Sequence, residues 1–441
     1  MATPAHRTCA VLSVGDELVL GQTLDTNSKW LSARLLELGV RVVEHRTVAD
    51  DLGVQREAIA TLASRMDLLI ITGGLGPTED DITRHALAAA AGDELIEDAA
   101  ALEEIRNWFE RAGRVMPDGN RAQALRPARG KCLSNDRGTA PGLALTITAG
   151  QNACDVYCLP GPPHEMQGMF ESFIAPSIRP QAGRVVAARA LHTFGMGESA
   201  IAGLLGDLMR RDRNPLVGTT ASDGVVSCRI RFEGDADDAT AQREVDSMAT
   251  RLRDLLGDVV FGEGVDTLAS VVLDALRKRG QSLATAESCT GGMIGQTLTA
   301  ISGSSDVYAG GWITYANQMK SQEIGVDPAL IEREGAVSRS VVLAMAEGAL
   351  DAVGPSGSRV DHTIAVSGVA GPGASEAKPA GTVWIGLASR SAAPAARLFR
   401  FPGGRHTVRM RTTQVALALL RRRILGLADR DWLWEDLAGR G

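Results

Sequence analysis

Two spacings of apolar positions alternate along most of the chain. Short unbroken apolar runs at residues 9–14 and 68–72 predict strands buried on both faces. Residues 28–38 and 55–64 instead repeat their apolar positions at helical spacing. Strands that end in turn-type glycines and lead into helices predict a parallel sheet with crossover helices, an α/β fold, up to about Pro180. The pattern then changes. A helix is expected after residues 192–199, residues 227–232 alternate as a strand, and 237–256 is amphipathic, so 182–262 predicts a small α+β segment. Beyond a linker at 262–266, residues 281–286 and 310–314 predict strands and 293–298 the start of a helix. Residues 350–361, with Gly, Pro and Ser, predict a surface loop. The polar tail after Leu427 carries Trp432 and Trp434, placed to dock on a neighbour.

Length and composition fit this outline. A chain of 441 residues accommodates about two to four domains, each with its own core. With 8 Phe, 6 Trp and 3 Tyr, the core has to be mostly aliphatic. The net charge of −7 argues against nonspecific nucleic-acid binding over the whole surface. The six cysteines show no paired C-x-x-C spacing, which points to free thiols in a reducing, cytoplasmic setting. Residues 1–14 are unlike a secretory signal, and no run of about 18 apolar residues offers a membrane span.

The sharpest chemistry lies at 284–320. Ser288 falls on the turn between an expected strand and an expected helix, where its hydroxyl projects and free backbone N–H groups surround it. Tyr315 and Lys320 flank the end of the next strand, with Asn317 capping the helix that carries Lys320. A serine hydroxyl needs a neighbour to take its proton, and no histidine lies between His192 and His362. A lysine made neutral by desolvation can do this, with Tyr315 relaying the proton or holding the lysine. The same residues also read as a helix cap, a rim tyrosine and a solvated charge. The N–H groups around Cys289 and Thr290 are the natural oxyanion donors. Cys289 itself reads as a small buried thiol, with a role as nucleophile as the alternative. The pair Gly291-Gly292 and the loop Gly371-Pro-Gly373 let backbone approach a ligand, and either loop is open to a phosphate.

In the first part, the strand at 68–72 runs into Gly73-Gly-Leu-Gly-Pro-Thr-Glu-Asp-Asp, a glycine-rich loop of the kind that offers backbone N–H groups to a phosphate. Asp80 and Asp81 would repel a bare diphosphate, so a divalent cation between them and the phosphates is expected. Alternatively, Thr78 and Asp81 form a capping-box-like start to a helix at 82–91.

Several of these segments together resemble one family. Thr285-Ala-Glu-Ser-Cys-Thr-Gly-Gly292, Thr314-Tyr-Ala-Asn-Gln-Met-Lys320, Gly335-Ala-Val-Ser338, Ser367-Gly-Val-Ala-Gly-Pro-Gly373 and Gly381-Thr-Val383 look like the C-terminal domain of the competence/damage-inducible protein A (CinA) family. That resemblance implies a nicotinamide mononucleotide (NMN) deamidase with Ser288 as nucleophile, Tyr315 and Lys320 assisting, and no cofactor. Phe401-Pro-Gly-Gly-Arg405 resembles the family's Gly-Asp-Arg stretch, with Gly404 where aspartate is usual. Arg405 is then either a phosphate binder or part of a solvated face. Gly15-Asp-Glu-Leu18, Asp25-Thr-Asn-Ser28, the loop at 73–83, Asn135-x-x-Gly-Thr-Ala-Pro-Gly142 and Leu159-Pro-Gly-Pro-Pro-x-Glu165 resemble the family's N-terminal domain, which is similar to the molybdopterin-binding fold. The resemblance implies a metal-dependent ADP-ribose pyrophosphatase, with matching positions at Asp16, Glu17, Asn27, Gly73, Gly74, Gly76, Thr78, Asp80 and Asp81. The middle segment resembles the family's KH-like domain but has Gly195-Met-Gly197 in place of the G-x-x-G clamp, so it reads as a spacer or dimer element. The expected organisation is residues 1–181, 182–262, 263–430 and a tail of 431–441. The protein implied is a cytoplasmic, homodimeric enzyme of pyridine-nucleotide salvage acting on NMN and ADP-ribose, with neither nucleic acid nor membrane as partner. The alternative is a nucleotide- or molybdopterin-type binding protein, or a competence-related interaction protein, without turnover.

Overall fold

The computed structural model describes residues 5–150, 152–181 and 183–437. Residues 438–441 of the expected tail and the first four residues of the chain lie outside the described residues. Two compact units form, one reaching to Ala187 together with Glu233–Gln242, the other comprising Ala188–Phe232 with Arg243 onward.

The first unit is built on a six-stranded sheet. Its chain runs β1 (Thr8–Val14), α1 (Asp16–Val19), α2 (Thr26–Glu37), β2 (Arg41–Val48), α3 (Leu52–Ala63), β3 (Leu68–Thr72) and α4 (Thr83–Ala91). There follow β4 (Leu95–Glu97), α5 (Ala99–Arg111), β5 (Leu125–Pro127), β6 (Lys131–Leu133), β7 (Gly142–Ala149), β8 (Asn152–Leu159) and α6 (Pro163–Met169). Strand order is β2-β1-β3-β8-β7-β6, with β2, β1, β3 and β8 parallel and β7 antiparallel to β8. Alternate residues explain why β1 and β3 are buried throughout. Ala10, Leu12, Leu69 and Ile71 pack with α3 and α4, whereas Cys9, Val11, Leu68 and Ile70 pack with α2 and α6. Because β1 pairs with β2 on one side and β3 on the other, connections leave it in opposite directions, and a crevice opens at the carboxyl ends.

The middle segment comprises β9 (Arg184–Phe194), α7 (Glu198–Leu205), β10 (Leu216–Ser222), β11 (Val225–Asp235), α8 (Asp238–Leu256) and β12 (Val260–Glu263), in the sheet order β10-β11-β9-β12. The last part adds α9 (Leu268–Arg279), β13 (Leu283–Glu287), α10 (Met293–Thr299), β14 (Tyr308–Ile313), α11 (Asn317–Ile324), α12 (Pro328–Glu334) and α13 (Arg339–Ala349). It ends with β15 (His362–Gly368), β16 (Thr382–Ser389), β17 (Ala392–Arg400) and α14 (Arg405–Leu425). The order β14-β13-β15-β16-β17 has three parallel strands followed by an antiparallel pair. Here too one face packs on α9, α10 and α14 and the other on α11 to α13.

Two expectations change. Asn317 is the first residue of α11 and makes no capping hydrogen bond; Ala316 takes the cap position. Trp432 and Trp434 pack within their own unit. Trp432 lies against Phe194 and Gly195, Leu433 N–H donates to Gly195 O at 3.2 Å, and Arg400 N–H donates to Trp434 O at 2.9 Å. Arg411 covers the Trp434 ring at 4.6 Å.

Candidate functional sites

The carboxyl ends of β13, β14 and β15 carry Ser288, the Thr314–Lys320 stretch and the Ser367–Gly373 loop respectively, and parallel pairing sets all three on one rim. They line a cleft of about 350 Å³ with Cys289, Ala336, Val337, Glu376 and Arg405. Lys320 is 1% exposed, and its Nζ donates to Ser288 Oγ at 3.3 Å and to Thr314 O at 2.9 Å. Weaker contacts reach Tyr315 O and Asn317 Oδ1, both at 3.5 Å. Burial lowers the Lys320 pKa below its ordinary 10.5, against the pull of the Glu376 and Cys289 charges. Tyr315 therefore meets the lysine through its carbonyl. Its phenol is 57% exposed and accepts from Arg405 Nη2 at 2.6 Å, which leaves the phenolic proton free to be donated elsewhere.

Arg405 lines the cleft while holding two protein partners, since its Nη1 also donates to Gly371 O at 2.7 Å. Cys289 is buried, and desolvation pushes its thiol up to about 12, the condition of an inert structural cysteine. Of the other positions expected to bind the substrate, Gly371 and Gly373 line the cleft, but Thr290, Gly291 and Gly292 do not. Thr290 is fully buried, its hydroxyl donating to Glu287 Oε2 at 2.7 Å. Gly292 has φ 91°, and a Cβ there would come within 2.9 Å of Ile313 Cδ1, so the glycine pair shapes the turn. Among the described residues the N–H groups of Cys289 and Thr290 meet no other backbone or side-chain oxygen, and of the two residues Cys289 lines the cleft. Two residues escaped the sequence reading. Buried Glu287 accepts from Ile294 N at 3.0 Å and Gly295 N at 2.8 Å, and Arg409 donates twice to Thr290 O, at 3.0 and 2.6 Å. A carboxylate just before the turn was visible in the sequence; the arginine, across 119 residues, gave no local signal.

In the first unit, the ends of β1, β2, β3 and β8 surround a cleft of about 440 Å³. Its lining includes Glu17, Asn27, Gly73, Gly74, Gly76, Thr78, Asp80 and Asp81, as well as Asp50 and Glu165, but not Asp16. Asp16 and Asp50 instead exchange backbone-to-carboxylate hydrogen bonds at 2.9 and 3.1 Å, tying the strand ends together. Gly73 is required by close approach, because a Cβ there would meet Val14 O at 2.3 Å with φ at 100°. From beneath, buried Arg84 donates to Leu75 O at 2.6 Å and to Gly76 O and Asp81 O at 3.3 Å. The loop's outward N–H groups stay available: among the described residues those of Gly74, Leu75 and Gly76 meet no backbone or side-chain acceptor. Asn27 donates to Gly161 O at 2.8 Å, and its buried Oδ1 has no partner.

Both residues of the expected metal pair, Asp80 and Asp81, line the cleft, and Asp81 also has a partner within the loop. Asp81 Oδ2 accepts from both the N–H and the hydroxyl of Thr78, so this carboxylate closes a turn before α4, whose N-cap is Ile82 without a side-chain cap, and not the helix start of the capping alternative. Among the described residues no three His, Cys, Asp or Glu side chains converge as metal ligands. Asp50 is a cleft carboxylate that the sequence reading did not single out. Burial raises its pKa, and the charges of Asp16, Glu17 and Asp80 add to the rise. An acid following the end of β2 as Asp16 follows β1 was the available signal. No helix among the described residues is long and apolar enough to cross a membrane.

Comparison with known proteins matches three family models in order: "Probable molybdopterin binding domain" over residues 10–180, "Damage-inducible protein CinA KH domain" over 188–262 and "CinA C-terminal domain" over 265–424. A CinA-like protein of Geobacter sulfurreducens is 39% identical, covering 94% of this chain and 99% of the relative. A CinA-like protein of Dictyoglomus thermophilum is 37% identical, over 95% of this chain and all of the relative. A crystal structure of the protein CinA from Thermoplasma acidophilum aligns at 30% identity and a TM-score of 0.36, covering 39% of this chain and 99% of that one. Identity at this level over nearly the whole length, with the three domains in the order expected from the motifs, makes this chain a member of the competence/damage-inducible protein (CinA) family.

Proposed function

We propose that the C-terminal domain is an amidase that hydrolyses NMN to nicotinate mononucleotide and ammonia. The observation carrying this reading is the buried amine of Lys320 within 3.3 Å of the Ser288 hydroxyl on a cleft rim. Neutral Lys320 takes the Ser288 proton as Oγ attacks the carboxamide carbon. The carbonyl oxygen, now negative, faces the N–H group of Cys289, the residue of the turn that follows the nucleophile and lines the cleft. When the tetrahedral adduct collapses, the C–N bond breaks and ammonia leaves with the proton that Lys320 took from Ser288, handed over directly or relayed through the Tyr315 phenol, so that Lys320 is neutral again. Water, deprotonated by Lys320, then cleaves the acyl-serine ester and releases the acid. Ammonia release from NMN by the full-length protein, lost in Ser288→Ala, is the expected result. No turnover in the unmutated protein would overturn the assignment.

For the N-terminal cleft the reading is a site for a diphosphate-bearing nucleotide such as ADP-ribose, with the loop at 73–76 cradling phosphate. Magnesium-type ions are commonly held by one or two carboxylates plus substrate phosphates, so the lack of a preformed cage fits a cation that arrives with its ligand. Asp80, Asp50 and Glu17 line the cleft, and one or two of these carboxylates together with substrate phosphates would hold it; a bound divalent cation would supply neutralisation of the diphosphate charge. A binding role without turnover is the second reading, favoured by the commitment of Asp81 to Thr78. Metal-dependent release of AMP from ADP-ribose, lost in Asp80→Asn, separates the two. Nucleotide binding without products would establish the binding role.

A further inference from the structure

We infer that Arg409 is a positioning residue that fixes the nucleophile turn, an inference that rests on the amidase reading above. The turn Ser288–Gly291 closes on itself through a Gly291 N–H to Ser288 O hydrogen bond of 3.0 Å, and its first N–H is tied to Val366 O at 3.0 Å. Thr290 is the residue by which the protein grips this turn. Its hydroxyl is held by Glu287, a carboxylate 2% exposed and anchored on the first N–H groups of α10. Its carbonyl is held from the opposite side by two N–H groups of Arg409. With both Thr290 groups engaged, the turn keeps one shape, and with it the placement of Ser288 and Cys289, the two residues of the turn that line the cleft.

Arg409 reaches the turn from the first turns of α14, whose Val408, Thr412, Val415 and Leu417 are buried in the core. Arg405 lies one helical turn earlier on the same face. It grips Tyr315 Oη and Gly371 O, so one helix start touches the loops that follow β13, β14 and β15. A guanidinium suits this task because its planar fork places two donors on one oxygen, whereas an ammonium offers a single mobile point of contact. Arg409 does not line the cleft, so its effect on the reaction passes through Thr290.

The test uses full-length Arg409→Met and Arg409→Lys beside the unmutated protein. NMN deamidation is resolved into kcat and KM, and Ser288 labelling by a fluorophosphonate is followed by peptide mass, with thermal melting as a folding control. Expected is a fall in kcat of about tenfold or more for Arg409→Met at nearly unchanged KM, slower Ser288 labelling in parallel, and partial recovery with lysine. Unchanged kcat and labelling in a folded Arg409→Met protein would overturn the inference and leave the amidase standing. A lowered melting temperature with unchanged kcat would also overturn it, reducing Arg409 to a structural brace. If the unmutated protein neither turns over NMN nor labels at Ser288, the amidase reading fails and the inference with it.

Discussion

An amine buried beside a hydroxyl has one property that can be read directly in rate measurements. Lys320 acts as a base only when neutral, and burial lowers its pKa below 10.5 while the Glu376 charge opposes that fall. The rate of NMN deamidation should therefore rise with pH along an acid limb and level off at the depressed pKa. Glu376→Gln removes the opposing charge, so its limb should move to lower pH; a limb that stays in place or moves up would contradict the coupling. Cys289, held up to about 12, should resist iodoacetamide at pH 8 in the folded protein, and Cys289→Ala should retain turnover. His362 supplies a stability signal. Both its ring nitrogens are buried without partners, and burial, aided by Arg423 and opposed by Asp361, lowers its pKa below 6.5. The unfolded chain then binds the extra proton first, so stability should hold above about pH 6.5 and decline as pH falls toward the folded value. Urea unfolding across pH 5 to 8 should show this slope, flattened in His362→Leu.

Strands and the turns that leave them explain what could be read before the fold was known. The apolar runs at 9–14 and 68–72 became β1 and β3, and the turn after 281–286 became the seat of Ser288, because buried parallel strands advertise themselves in continuous hydrophobic sequence. Side-chain commitments were less legible. Asp81 read either as a metal ligand or as the partner of Thr78, and Arg405 either as a phosphate binder or as part of a solvated face, before the fold joined Arg405 to Tyr315 in the loop after β14. The second pairing depends on a contact 90 residues apart in sequence, which local patterns do not encode; the first was among the readings the sequence offered. At this scale Gly73→Ala is the informative substitution. Its Cβ would strike the Val14 carbonyl, which is backbone and cannot move aside. Nucleotide binding by the N-terminal cleft should be lost, as calorimetric titration with ADP-ribose would report.

Across the second unit, the tail belongs to the core. Trp432 is buried with Phe194, and Asp436 N–H pairs with Leu398 O at 2.9 Å. Trp432→Ala should cost about 3 kcal/mol or more, seen as a lower melting temperature, because the cavity opens within a packed core. A change in oligomeric state by light scattering without a change in melting would instead indicate that the tail serves a neighbouring subunit.

The grip of α14 on the loops after β13, β14 and β15 also fixes a time order. A ribosome makes Thr290 long before Arg409, and the first turn of α14 must clear the exit tunnel before the loops can be drawn together. A chain interrupted during synthesis would carry Thr290, Tyr315 and Gly371 without the helix whose arginines bind them, so the three loops are drawn together only when the chain is nearly complete.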